Sequence, residues 1–341
     1  MRSFGSDNHS GIHPNIIDAI IKANVDHCCA YGDDKYTSEA TNKIKEVFGD
    51  SANPFFVFNG TGANILSIRA CTNTFDCVLA AKSAHIVVDE CGAPEFIAGV
   101  SVKTIDTIDG KLTPELIKPY LVGFGDEHHS QPKVIYISQV SEFGTVYTPD
   151  EIKAIADLAH SHNMYLHIDG ARLANAAVSL NKSLKEITVD CGCDILSFGG
   201  TKNGMMMGEC VIAFKPELAK NFKFLRKQSM QLFSKMRFSA CQFTEYLSND
   251  LWKKNASHAN KMAQILRAKL AETNVVEFTQ QTDANTILLK MDKSLSSKLL
   301  KDHFFYYWDA EEKEIRLVTS WDTTIEDIDI FINSINRLSI R

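Results

Sequence analysis

The sequence predicts an α/β fold: a large domain with a mostly parallel, mixed sheet sandwiched by helices, then a small α+β C-terminal domain. Three observations predict it. Up to about residue 245, short apolar runs of strand length alternate with segments of helical apolar spacing, as in a parallel sheet covered on both faces. A glycine turn, Asn59-Gly60-Thr61-Gly62, joins one such run to a helix. Beyond residue 245 the rhythm changes to one long amphipathic helix, short strands and a closing helix.

In chain order, a polar segment 1–14 precedes Pro14–Asn24, whose apolar residues recur at helical spacing. Thr37–Phe48 reads as a helix opened by Thr37 or Ser38 and closed by Gly49. Pro54–Phe58 is a strand-type run that meets the glycine turn, and ILSIRACT then resumes helical spacing. Cys77–Ala81, Ile86–Val88 and Ser101–Ile105 read as strands, and Thr113–Tyr120 as a helix with Thr113-Pro114-Glu115 as cap and first turn. Lys133–Ser138 is a buried-strand run. Thr148–His162 has a cap, a proline in its first turn and period-3.6 apolar residues. Met164–Ile168 is a strand ending at Asp169, and Asp194–Phe198 and Cys210–Phe214 are two more. Lys253–Ala271, the strands Thr286–Lys290 and Glu314–Val318, and the helix Ile325–Leu338 belong to the C-terminal domain. The expected division is an N-terminal segment 1–14, a large domain 15–245 and a small domain 246–341.

Composition bounds function. The 341 residues are 45% apolar and 23% charged, which excludes wholesale disorder, a collagen-like repeat and a coiled coil. A net charge of −6 lacks the bulk signature of a nucleic-acid binder. No apolar stretch reaches the ~20 residues of a membrane span. The start, MRSFGSDNHSG, has no apolar run after its arginine, so no signal peptide is expected. Most of the nine cysteines sit among apolar or small residues and read as reduced thiols of a cytoplasmic protein. Cys191-Gly192-Cys193 lacks a second well-spaced pair, so packed thiols are expected there and no metal.

Ligands of parallel α/β sheets bind beyond the carboxyl ends of the strands, and four features fall at such ends. Gly60, Thr61 and Gly62 open a helix whose N–H groups and dipole suit an anion, although a plain tight turn reads the same. Asp169 directly follows an apolar strand, and Arg172 lies three residues on; a structural ion pair is the alternative. Lys202 sits in a glycine-rich turn between two apolar strands. A desolvated amine there is nucleophilic, and an exposed loop lysine is the alternative. His85 precedes Glu90 in HIVVDEC and gains meaning only in company. Together they suit pyridoxal phosphate: a lysine for the Schiff base, an aspartate for the pyridine nitrogen, a turn for the phosphate and a ring to stack on the cofactor. No GxGxxG follows an early strand, which disfavours a nicotinamide enzyme.

The motifs Ser6-Asp7, Tyr31-Gly32-Asp33-Asp34, Gly60-Thr61-Gly62-Ala63-Asn64, Ser83-Ala84-His85-Ile86 with Glu90, His167-Ile168-Asp169-Gly170-Ala171-Arg172, Lys202 and Ile315-Arg316-Leu317-Val318-Thr319 run nearly end to end. With them the chain resembles the low-specificity L-threonine aldolases, in their phenylserine-aldolase-like branch. These are fold-type I, aspartate-aminotransferase-like pyridoxal 5'-phosphate enzymes related to the β-eliminating lyases. The resemblance implies that Lys202 holds the cofactor, His85 stacks on its ring and Asp169 binds the ring nitrogen. Gly60, Thr61 and Gly62 would hold the phosphate. Arg172 would lie near the cofactor hydroxyl and the substrate carboxylate, which Arg316 and Ser6 bind, and Tyr31 would line the site from its own or a neighbouring subunit. His85, or a water it orients, would take the β-hydroxyl proton. Many members carry a second histidine where this chain has Ser138-Gln139-Val140-Ser141-Glu142; His128 and His129 lie in a polar loop and do not inherit its role. The resemblance further implies cleavage of a β-hydroxy amino acid to glycine and an aldehyde by a dimer of dimers. A β-eliminating lyase on aromatic or cysteine-type amino acids and an inactive cofactor-binding homologue remain the rivals.

Overall fold

The computed structural model describes residues 3–339. Its larger sheet has seven strands: β1 (Asn53–Val57), β2 (Asp76–Ala81), β3 (Ser101–Ile105), β4 (Gln131–Ser138), β5 (Tyr165–Gly170), β6 (Ile195–Gly199) and β7 (Glu209–Ala213). They lie in the order β1-β7-β6-β5-β4-β2-β3. The pairs β3–β2, β2–β4, β4–β5 and β5–β6 are parallel, while β7 runs antiparallel to both β6 and β1. A parallel neighbour needs a crossover of a dozen or more residues, whereas an antiparallel one needs only a turn. The chain therefore passes from β6 to β7 through a short loop at the carboxyl ends of the parallel strands, and Lys202 lies in that loop. The strands β2, β6 and β7 are buried along their whole length, as continuous apolar runs in a doubly covered sheet should be.

Helix ends follow side-chain chemistry. The helix Pro149–Ser161 starts with a reciprocal capping box between Thr148 and Glu151. The helix predicted from Thr37 instead starts at Lys35, because Asp34 is the better cap: its carboxylate accepts the Thr37 N–H at 2.9 Å and the Thr37 hydroxyl at 2.9 Å. The segment predicted as a strand at Ile86–Val88 is a helical turn, His85–Val88. It lies past the end of β2, where no neighbouring strand can pair with it. Turn bonds from Ala84 N–H to the Ala81 carbonyl and from Asp89 N–H to the His85 carbonyl satisfy the backbone instead.

The smaller sheet is antiparallel, with β8 (Val276–Phe278), β9 (Thr286–Met291), β10 (Tyr306–Asp309) and β11 (Glu314–Val318) in the order β10-β11-β9-β8. It has its own core, in which Ile287, Leu289, Ile315 and Leu317 meet Leu266, Leu270 and Phe331. The helix Leu251–Glu272 links both cores: Leu251 packs in the larger one and Met262, Leu266 and Leu270 in the smaller. Phe4 packs in the smaller core too, and its N–H and carbonyl pair with Phe304 and Val318.

Candidate active site

Register places the site. Ser138 at the end of β4 lies opposite Asp169 on β5, which lies opposite Ser197 on β6. Beyond this row a cleft is lined by Gly60, Asn64, His85, Glu142, Asp169, Arg172 and Lys202, among others. Five segments from distant parts of the sequence thus meet at one edge of the sheet, and five of these residues were expected from sequence.

Asp169 ends its strand with both oxygens occupied. Oδ2 accepts from the Tyr136 hydroxyl at 2.6 Å and from Asn64 Nδ2 at 2.9 Å, and Oδ1 accepts the Ala171 N–H at 3.0 Å. Burial alone would raise its pKa. The Tyr136 hydroxyl and the charges of Lys202 and His85 outweigh burial and hold the carboxyl below its ordinary range. The group is an anion at neutral pH. Asn64 Nδ2 also donates to Glu90 Oε1 at 2.9 Å, and that oxygen meets His85 Nδ1 at 2.8 Å. Burial pulls His85 down, but Glu90, Glu142 and Asp169 more than offset it, so its pKa lies above the ordinary value.

Lys202 stands in a helical turn, Thr201–Asn203, fixed from behind. Asn203 Nδ2 donates to the Tyr246 hydroxyl at 2.8 Å and the Trp252 carbonyl at 2.9 Å, and Asn255 donates to the Asn203 carbonyl at 2.9 Å. The Lys202 amine itself forms no ion pair among the described residues. Glu209 is buried nearby, opposite Gly199, where a Cβ would sit 2.5 Å from its Oε2. Burial pushes its carboxyl up to about 7.

Gly60, Thr61 and Gly62 form the first turn of the helix Gly60–Cys71. Asn59 caps it by accepting the Gly62 N–H at 2.8 Å, so of the three only Gly60 and Thr61 keep N–H groups with no intrahelical acceptor. A Cβ at Gly60 would meet nothing within 4 Å, so that edge of the cleft is open.

Arg172 lines the cleft, but its fork is taken. Nε and Nη2 donate to Asp7 at 2.7 and 2.9 Å, in a buried bidentate pair. The structural ion pair weighed for Asp169 and Arg172 is made with Asp7 instead. Ser6 caps the turn Asp7–His9 and, with Arg316, lines an adjoining cavity of about 880 Å³. Arg316 lies mid-strand in β11, its guanidinium 5.3 Å from the Trp308 ring centroid. Its Nε is buried without a partner among the described residues, and burial and then the nearby Arg172 both weigh against its charge. Such a cation calls for an anion. Tyr31 lies outside both cavities of its own chain: it is half exposed, at φ 63, with Lys227 over its ring. His129 is exposed and bonded to Asp126, away from the cleft. All nine cysteines are free, and Cys191 and Cys193 are buried against backbone carbonyls.

Sequence reasoning gave no role to Asp7, Asn64, Tyr136, Glu142 or Glu209. Asp7 and Asn64 stood inside motifs that carried the resemblance. Tyr136 in a buried-strand run reads as core, and Glu209 as a polar strand flank, so neither had a signal of its own.

The residues fit pyridoxal phosphate. The buried Asp169 anion suits a protonated ring nitrogen, the open helix start a phosphate, and the unpaired Lys202 amine an aldehyde. Ser138 Oγ and Asn64 Oδ1 are buried at the same cleft without partners among the described residues.

Residues 3–294 match the beta-eliminating lyase family. The chain is 39% identical to the low specificity L-threonine aldolase of Pseudomonas aeruginosa over 328 residues, covering 96% of this chain and 95% of that one. The solved structure of Leishmania major threonine aldolase superposes with a TM-score of 0.93 at 30% identity, over 99% of both chains. Thermus thermophilus aspartate aminotransferase shares the fold, with a TM-score of 0.72 at 14% identity over 97% of this chain and 89% of that one.

Proposed function

The chain belongs to the beta-eliminating lyase family, and on that ground we propose that it is a pyridoxal 5'-phosphate-dependent aldolase. Its substrates are L-threonine, L-allo-threonine and phenylserine-type β-hydroxy amino acids, cleaved at Cα–Cβ to glycine and an aldehyde. The observation that carries this reading is the meeting of Lys202, His85, Asp169 and Arg172 at one cleft, in a chain similar along its length to a threonine aldolase.

When bound, the cofactor supplies an electron sink for the pair left at Cα. The rest falls to the protein. Lys202 provides the amine that anchors the cofactor and yields to the substrate amine. Asp169 holds a proton on the ring nitrogen, and its bonds to Tyr136 and Asn64 fix its position. The Gly60, Thr61, Gly62 turn takes the phosphate, mainly through the Gly60 and Thr61 N–H groups. Arg316, which has no ion pair among the described residues, takes the substrate carboxylate together with Ser6, and this orients Cα–Cβ for cleavage. Arg172, held by Asp7, faces the same carboxylate and the cofactor hydroxyl. His85 covers the ring face, held through Nδ1 by Glu90.

We also divide the chain into the segment 1–14, the domain 15–245 and the domain 246–341, in keeping with the two separate cores. The protein is assigned to the cytoplasm as a dimer of dimers. Exposed Ile17, Ile21 and Val25 near one end of the chain, and exposed Met206 and Met207 beyond Lys202, support a face covered by a second copy, to which Tyr31 would belong. Among the described residues no helix is long and apolar enough to cross a membrane.

Product analysis tests the function. Glycine and acetaldehyde from threonine support it, whereas pyruvate and ammonia from an aromatic or cysteine-type amino acid would replace it with β-elimination. Borohydride reduction followed by peptide mapping should tag Lys202, and a tag on another lysine overturns the assignment.

A further inference from the structure

We propose that Glu142 is a catalytic residue that takes the β-hydroxyl proton of the substrate, a role the sequence reading gave to His85. The inference rests on the aldolase reading and deepens it. The cleft around Lys202 presents five ionisable side chains: His85, Glu142, Asp169, Arg172 and Lys202. Four have work or partners. Asp169 is bonded to Tyr136, Asn64 and the Ala171 N–H, Arg172 is forked onto Asp7, Lys202 is the anchoring amine, and His85 is tied through Nδ1 to Glu90. Glu142 alone has a carboxylate with no hydrogen bond or ion pair among the described residues.

Its backbone is nonetheless fixed. Gln139 N–H donates to the Asp169 carbonyl at 2.8 Å, and its side-chain amide bonds both ways with Tyr147, at 2.8 and 3.0 Å. Ser141 N–H donates to the Thr145 carbonyl at 2.9 Å, and Gly144 N–H to the Ser141 carbonyl at 2.9 Å. Gly144 closes the turn at φ 81, hard against Thr286. A free carboxylate on a pinned loop is what a proton acceptor requires: an open lone pair and little reorganisation on binding.

The electrostatics point the same way. Glu142 acts on Arg172, Arg316 and His85 at once. A carboxylate beside the arginines that receive a substrate carboxylate would oppose binding if it had no other function. The β-hydroxyl is carried by the carbon next to the one that bears the carboxylate, so an acceptor for it belongs beside those arginines. His85 suits the task less, since its neighbours favour the protonated ring.

In the step, the hydroxyl O–H bond breaks and its proton passes to a Glu142 oxygen. The aldehyde C=O forms as Cα–Cβ breaks, and the electron pair left at Cα ends in the new C–H bond of glycine. That proton comes from solvent, to which Glu142 returns its own.

The test compares E142Q and E142D with the parent, all as holoenzymes. Two reactions are followed: threonine cleavage, and exchange of the glycine α-hydrogen for deuterium, which involves no hydroxyl. The expected result for E142Q is a fall in kcat for cleavage of ~100-fold or more. Its glycine exchange, cofactor retention and melting temperature stay close to the parent's, and E142D recovers part of the lost rate. Parent-like cleavage by E142Q overturns the proposal. So does an equal fall in both reactions, or a change confined to glycine affinity, which would make Glu142 a counter-charge only. A parent protein that exchanges glycine hydrogen but cleaves no β-hydroxy amino acid defeats the aldolase reading itself, and the assignment of Glu142 with it.

Discussion

The Tyr136 hydroxyl and the Asp169 carboxylate share one short bond in a buried place, and that bond sets a sign. Asp169 is held below the ordinary carboxyl value of 3.8, so it contributes stability that is present above that pH and lost as pH falls through its folded value. Replacing Tyr136 by Phe removes a hydrogen bond to a charged group, a loss of about 1.5–3 kcal/mol at pH 7. Denaturant unfolding of the cofactor-free protein should find that loss at pH 7 and a progressively smaller one as pH falls below 3.8 through the folded value; a loss independent of pH would mean that Asp169 is not the group involved. Glu209 has the opposite sign. Burial pushes it from 4.5 up to about 7, so it opposes folding increasingly as pH rises through that window and fully above it. E209Q should therefore stabilise the cofactor-free protein by about 3 kcal/mol at pH 8 and not at all at pH 4, read from the same unfolding curves. Neither partner was legible in the sequence. Asp169 was, because a charged residue at the end of an apolar strand breaks a visible pattern, and so was Lys202, a lysine set in a glycine-rich turn between two apolar strands. Tyr136 in KVIYIS breaks none, and Glu209 acquires its meaning only when β7 turns antiparallel and brings it opposite Gly199.

At the scale of elements, the glycine turn before Gly60–Cys71 was readable because glycine spacing, a strand before it and a helix after it are local signals. The cap was less visible. Asn59 takes the Gly62 N–H and so decides which N–H groups face the cleft. N59A should cost about 1 kcal/mol of stability, the usual worth of a cap, measured as a shift in urea midpoint at unchanged slope. Gly62 is constrained differently. A Cβ there would sit 2.5 Å from the Gln231 amide, and Gln231 Oε1 also accepts the Phe58 N–H at 2.9 Å. G62A must therefore move a flexible side chain and break that bond at the strand end. The Ile86–Val88 turn failed as a strand for a non-local reason. Its β-branched residues favour strand locally, yet a strand needs a neighbour and the chain there has left the sheet. Direction was hidden in the same way: nothing in CVIAF announces that β7 runs against β6, and that reversal is what leaves Lys202 in a short loop rather than at the head of a crossover helix.

The whole molecule is tied together at Asp7. Its carboxylate holds the Arg172 fork from the large sheet's edge and accepts Asn285 Nδ2 at 3.0 Å from the loop ahead of β9. Phe4, three residues earlier, is packed in the small core. One buried anion thus joins the N-terminal segment and both sheets, beside the cavity that Ser6 and Arg316 line. The sequence offered Ser6-Asp7 only as a motif, since a joint among three distant segments leaves no periodic trace in any of them. Burial would raise the Asp7 carboxyl, but Arg172 and Lys202 outweigh it and hold it below 3.8, so its stabilisation is present above that pH and lost as pH falls through the folded value. D7N takes away the bidentate partner of the buried Arg172 charge, a loss of about 3–5 kcal/mol at pH 7. The melting temperatures of parent and variant should converge as pH drops below 4. Because Asp7 holds the Arg172 fork, D7N should also raise the KM for threonine more than it reduces cofactor retention. Equal melting temperatures at pH 7 would show that the joint holds without its charge, through contacts such as the Asn175–Asn260 amide pair and the packing of Leu251–Glu272.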